Sequence, residues 1–221
     1  MSWLTNALTS SIGRKLIMSL TGLFLISFLV VHLSGNISLL FKDRTTFNAY
    51  TAFMSTHWTI RIMEVGLVLG FVLHIANAVI LTRKNRGARP VKYAYEKASA
   101  NSSWFSRNMG LTGFIILLFL LLHLYQFWFS YKFGEVALDE AGVKDMYAMV
   151  HATFDQPIFL GIYVLTFVLL AFHLNHGFQS AFQSLGLNHV KYTPFIKTFG
   201  SIIAFAIPLG FIVIAVGCLF V

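Results

Sequence analysis

Charge is scarce in this 221-residue sequence: Asp, Glu, Lys and Arg together make up 11% of it, against about a quarter in an ordinary soluble domain. With 57% hydrophobic residues, the chain cannot cover its surface with polar groups unless much of that surface faces lipid. Cysteine occurs once, at Cys218, which excludes a disulfide framework and a cysteine-ligated iron–sulfur or zinc site. No Gly-rich nucleotide motif is present. Glu64 is the one acid clearly inside an apolar stretch, so a carboxylate-built di-metal site is excluded. The net charge of +8 comes from basic residues beside apolar runs and not from one patch; it does not signal nucleic acid.

What the sequence does have is apolar length. A spanning helix needs roughly 20 mostly apolar residues, and five segments supply them, at about 15–41, 59–82, 108–133, 156–185 and 195–221. The expected fold class is an all-α integral membrane protein, a single domain over 1–221 with five transmembrane helices, the first four forming a four-helix bundle. The stretch from Leu16 to Phe41 is too long for the apolar region of a signal peptide and lacks a small-residue cleavage site, so it is expected to stay in the mature protein. The loop between spans II and III carries Arg83, Lys84, Arg86, Arg89, Lys92, Lys97 and Arg107 against Glu96. The III–IV loop sets Glu135, Asp139, Glu140, Asp145 and Asp155 against Lys132 and Lys144. Cytoplasmic loops carry the excess of Lys and Arg, so the N-terminus is expected in the cytoplasm and the C-terminus outside.

Five of the eight histidines lie within spans: His32, His74, His123, His173 and His176. An ionisable side chain there is costly and marks function more often than not. Spans I and III run in one direction, with His32 17 residues after Lys15 and His123 16 after Arg107; at about 1.5 Å per residue both lie roughly 25 Å from the cytoplasmic end. Spans II and IV run the other way. His74, nine residues before Arg83, sits about 13 Å from that end, and His173 falls at a comparable level. Two imidazoles near the outer side and two near the inner side, each pair on parallel helices, can clamp two stacked haems. Imidazole also binds zinc or copper, or relays protons, but paired imidazoles without other donors suit low-spin haem b better. Covalent c-type attachment is excluded, since no Cys-x-x-Cys-His occurs.

Spans I and III also echo each other. Leu20-Thr21-Gly22 precedes His32, and Leu111-Thr112-Gly113 precedes His123, with ten residues from glycine to histidine in both. Ten residues is close to three helical turns, so each glycine shares a face with its histidine. A glycine there leaves room for a flat macrocycle; Gly70 and Gly177, one turn from His74 and His173, are read in the same way.

Ser11-Ile12-Gly13-Arg14-Lys15, Met18-Ser19-Leu20-Thr21-Gly22 and His32-Leu33-Ser34-Gly35-Asn36 resemble the cytochrome b subunit of succinate:quinone oxidoreductases (succinate dehydrogenase/fumarate reductase), the b558 type with two haems on a single five-helix anchor. His74 followed by Thr82-Arg83-Lys84-Asn85-Arg86 and Ala88-Arg89-Pro90, Thr112-Gly113 with His123-Leu124, and Phe172-His173-Leu174-Asn175-His176-Gly177 agree in order and spacing. The resemblance implies a distal haem b between His32 and His123 and a proximal one between His74 and His173, with His176 as a neighbour of the proximal ligand. It also implies a quinone as substrate, menaquinone first among them. The implied partners are a flavoprotein subunit with FAD and an iron–sulfur subunit with its clusters at the cytoplasmic face of a bacterial inner membrane, in a complex that can dimerise. Electrons would then pass between the iron–sulfur subunit and quinone.

Other assignments are less specific. Quinone chemistry needs a hydrogen-bond donor and a proton-exchanging group beside an apolar slot. Glu64 is a candidate, with an ion pair to Arg61 as the competing reading. Arg14, Lys15, Arg83 and Lys191 are candidate propionate partners, with the positive-inside bias as the competing reading. His151 and His189 are expected in solvated loops. Two rival functions stay open at this point: the cytochrome b of another quinone-linked membrane oxidoreductase, and a non-redox transporter built on buried histidines.

Overall fold

The computed structural model describes residues 3–88 and 104–220; Arg89, Pro90, Lys92, Glu96 and Lys97 of the basic loop lie outside the described residues. The helices are α1 (Trp3–Thr9), α2 (Ser11–Asn36), α3 (Arg44–Thr56), α4 (Trp58–Gly87), α5 (Trp104–Arg107), α6 (Met109–His123), α7 (Ser130–Phe133), α8 (Met146–Phe154), α9 (Pro157–Ser184) and α10 (Thr193–Gly217). A 3-10 turn, Ile37–Phe41, extends α2, and a π-helical stretch, Leu124–Phe129, joins α6 to α7. Among the described residues there is no strand, only an isolated antiparallel bridge between Leu138 and Lys144.

Five segments are long and apolar enough to cross a membrane: Ser11–Phe41, Trp58–Gly87, Met109–Phe133, Pro157–Ser184 and Thr193–Gly217. Their ends follow local chemistry. α2 starts ahead of Lys15 because Ser10 Oγ accepts from Gly13 N–H at 3.0 Å, capping the first turn. α4 runs past Thr82 to Gly87, with Lys84 and Arg86 in the last turn, where cations suit the helix dipole. Pro157 and Pro194 open α9 and α10, where a missing N–H costs nothing.

α2 packs against α4 and α9, and α6 packs against α9 but only lightly against α4. This places α2 diagonally across from α6, and α4 across from α9. α10 lies outside this square, along α9 and beside α2. Lipid offers helices no hydrophobic gain on association, so close van der Waals fit has to hold them. Glycines make the fit: a Cβ on Gly210 would meet Leu33 at 2.9 Å, one on Gly217 would meet Leu40, and one on Gly200 would run into the Phe178 ring. Gly200→Ala is expected to cost about 1–3 kcal/mol, as overpacking does, read as a lower melting temperature of the detergent-solubilised protein. An unchanged melting temperature would mean that α9 and α10 do not approach this closely.

The starts of α2, α6 and α10 and the ends of α4 and α9 share one end of the bundle, the N-side. The far side is capped by α3 and α8. Asp43 caps α3 and Asp145 caps α8 through their side chains. Leu39, Phe47, Phe127, Val150, Phe154, Tyr163, Phe211 and Ile214 share one buried apolar cluster there with Cys218. Burial first, then the charge of Asp155, pushes the Cys218 thiol up to about 11, so it is inert at neutral pH.

His151 corrects the sequence reading. It sits on α8, not in a loop, stacked on Tyr147 with ring centroids 4.2 Å apart and with Nδ1 3.1 Å from the Cys218 carbonyl oxygen. A short helix docked on the bundle end half-buries it, and the loop's acidic composition did not reveal that helix.

Candidate functional site

The diagonal packing brings His32 of α2 to His123 of α6. Their rings are 5.8 Å apart, centroid to centroid, with planes at 85°. Two imidazoles on one metal ion would stand roughly 6 Å apart, given metal–nitrogen bonds of about 2 Å. Aromatic rings enclose the pair. Phe28 stacks on His32 at 5.4 Å and Phe211 lies 5.6 Å from it. Phe119 and Phe127 flank His123 at 5.8 and 5.3 Å. The Tyr163 hydroxyl, on the buried α9 face, lies 3.3 Å from His123 Nδ1 and donates to Gln126 Oε1 at 2.8 Å.

The second pair lies nearer the N-side. His74 of α4 reaches α2, with Nδ1 3.2 Å from Thr21 Oγ1 and Cε1 3.5 Å from where a Cβ on Gly22 would be. His173 of α9 reaches α6 in the same manner, with Nδ1 3.4 Å from Thr112 Oγ1 and Cε1 3.4 Å from the Cβ position of Gly113. His74 and His173 sit on the two helices of the second diagonal, each seated on the Thr-Gly step of the helix beside it. Each Thr-Gly of the repeat thus seats an imidazole from the neighbouring helix, where the sequence suggested room for a macrocycle. A Cβ on Gly70 would stand 2.8 Å from the Phe24 ring, and one on Gly177 would meet nothing within 4 Å.

Among the described residues, no three His, Cys, Asp or Glu side chains converge as a metal site would require. Paired imidazoles alone fit an iron whose other four ligands come from a planar macrocycle. The donor set therefore fits haem b at both levels and fits zinc poorly, since zinc takes three or four protein ligands.

Glu64 is fully partnered. Its Oε2 accepts from Arg61 at 2.8 Å, and its Oε1 accepts from Trp128 Nε1 and Lys132 Nζ. The ammonium of Lys132 also lies 4.3 Å from the Trp128 ring centroid. This cluster bridges α4 to the segment after α6, where the two helices otherwise touch little. Trp128 carried no sequence signal and Lys132 only that of a loop charge, because the π turn sets which way they face. Arg14, Lys15, Arg83 and Lys191 all lie at the N-side; Arg14 Nε donates to the Thr9 carbonyl at 3.2 Å, and Lys191 N–H donates to His189 Nδ1 at 3.2 Å. The structure does not join these four into one cluster around the near pair.

Sequence comparison matches residues 82–209 to the family described as succinate dehydrogenase/fumarate reductase transmembrane subunit. The match takes in His123 and His173, and His32 and His74 precede it. No curated protein and no solved structure was found to match the chain. Five membrane-length helices, a bundle with histidines at two levels and a family match over more than half of the sequence agree: the chain belongs to the succinate dehydrogenase/fumarate reductase transmembrane subunits, multi-pass membrane components of oxidoreductase complexes.

Proposed function

We propose that this subunit is a dihaem cytochrome b that passes electrons between an iron–sulfur subunit and membrane quinone. His32 and His123 would hold one haem and His74 and His173 the other. The observation that carries the reading is the His32–His123 pair across one diagonal of the bundle, with His74 and His173 seated in the same way on the other diagonal at a second depth. Bound there, haem would carry one electron at a time along the bundle axis. The chain's own residues hold the imidazoles in place, and Phe28, Phe119, Phe127 and Phe211 keep water from the far pair.

The basic N-side suits the cytoplasmic face, where the flavoprotein and iron–sulfur subunits would dock. Arg14, Lys15, Arg83 and Lys191 are placed at the right end to meet anionic propionates of the near haem. Glu64, already held by two cations and an indole N–H, stands at the far end of the lightly packed α4–α6 seam. From there it could exchange a proton with a quinone entering from lipid.

The purified subunit is expected to show a b-type reduced-minus-oxidised spectrum with two haems per chain, and to co-purify with a flavoprotein and an iron–sulfur protein. Absence of the b-type band would end the reading, and one haem per chain would remove one of the two pairings.

A further inference from the structure

We infer that Thr21, Thr112 and Tyr163 are positioning residues: their hydroxyl oxygens accept the Nδ1 protons of His74, His173 and His123, and so turn the Nε2 lone pairs toward the iron. The inference rests on the dihaem reading above and goes beyond it.

The reasoning is a proton count. A hydroxyl has one hydrogen and two acceptor lone pairs. Thr21 Oγ1 lies 2.7 Å from the Ile17 carbonyl oxygen, four residues back along its own helix, and 3.1 Å from that of Met18. Its hydrogen is spent there. The contact of 3.2 Å to His74 Nδ1 can then be a hydrogen bond only if Nδ1 carries the proton. Thr112 repeats the arrangement, 3.2 Å from the carbonyl oxygens of Asn108 and Met109. Tyr163 spends its proton on Gln126 Oε1 at 2.8 Å and faces His123 Nδ1 with a lone pair. A neutral imidazole protonated at Nδ1 keeps its lone pair on Nε2, the nitrogen available to a metal.

Back-bonding to carbonyls is common for threonine in helices and needs no further purpose. The repeat argues against that reading alone. Both threonines precede a glycine, and both Thr-Gly pairs lie directly against a histidine edge, His74 at Gly22 and His173 at Gly113. The glycine lets the ring approach, and the threonine fixes its rotation. His32 differs. Among the described residues no hydroxyl accepts from it, and its ring is held instead between Phe28 and Phe211. The near haem would therefore have both ligands polarised by a hydroxyl, and the far haem only one.

An acceptor on the distal imidazole nitrogen raises ligand basicity and stabilises the oxidised metal. Thr21→Val and Thr112→Val keep the branched shape and remove the acceptor. The double variant, in the intact complex with both haems bound, is expected to favour reduction of the near haem by up to about tenfold. For one electron that is a rise of ~59 mV in its midpoint potential. The far haem should not move. Tyr163→Phe should shift the far haem alone. The serine variants at 21 and 112 should restore the original potential and the original electron paramagnetic resonance signature, while a packing role would leave serine and valine alike. Unchanged potentials and spectra in T21V/T112V, with two haems in the parent protein, would overturn the positioning role alone. A parent protein without haem would overturn this role together with the dihaem reading.

Discussion

Replacing His173 by alanine is expected to leave one haem per chain, and replacing His176 to leave two. The two histidines are three residues apart on α9, which moves the imidazole about 4.5 Å toward the N-side and turns it by roughly 60°. His173 lies against Thr112 and Gly113 of α6, at the level where His74 lies against Thr21 and Gly22 of α2. A haem held by His176 would have to drop by most of a turn on one side while His74 stayed fixed on the other. Haem content per chain, measured by absorbance of the purified variants, checks this directly. Loss of a haem only in the His176 variant would shift the near site down a turn. Two haems in both variants would remove α9 from the ligand set.

The second large effect is expected at the far cap. Asp145 is 2% exposed and Asn48 is fully buried. Asp145 pairs with Arg44 and accepts from Asn48 Nδ2 at 2.9 Å and from Ala148 N–H at 3.1 Å. Asn48 in turn accepts from Tyr147 N–H at 2.9 Å and donates to Asp139 at 2.9 Å. One carboxylate thus fastens α3 to α8. Asp145→Ala removes a helix cap, worth about 1 kcal/mol, and leaves one N–H of the buried Asn48 amide unpaired, at about 1–3 kcal/mol. The half-exposed Arg44 adds little. Roughly 2–4 kcal/mol should be lost, seen as a lower melting temperature and faster proteolysis in the segment around 134–156.

The same group sets the acid limit of the cap. Burial opposes ionisation of Asp145, but hydrogen bonds from Arg44, Asn48 and Ala148 outweigh it and hold the carboxyl below the usual carboxylate range. Its stabilisation is therefore complete above the unfolded value of about 3.9 and lost as pH falls through the lower folded value. Stability of the cap should be flat from neutrality to about pH 4 and decline below. The alanine variant should show a shallower decline, the remainder coming from Asp43 and Asp139, which hydrogen bonds also hold below the usual carboxylate range.

The spans were legible because lipid imposes a length and forbids charge, and their depths followed from counting back to Lys15, Arg83 and Arg107. The pairing of helices across the diagonal was legible for the same reason. α3 and α8 were not, although Asp43 and Asp145 are ordinary cap residues; their neighbourhood was read for charge sign and not for capping. In the repeat, glycine drew the attention that threonine shared, because whether a hydroxyl meets a ring nitrogen depends on helix rotation, which spacing does not give. Tyr163 and Gln126 were silent for the same reason. Glu64 was visible as an isolated acid, but its partners Trp128 and Lys132 lie in and just past a turn whose geometry no composition rule foretells.

That turn, the π-helical stretch from Leu124 to Phe129, begins at the residue after His123. A wider turn adds about one residue to the helix without adding a full α-helical step. The two ends of this span are therefore out of phase with each other. Before the turn, the helix meets His32 and seats His173; within it and just past it, the same span presents Trp128 and Lys132 to Glu64. The phase slip lets one span satisfy two neighbours whose directions a uniform α-helix could not serve together.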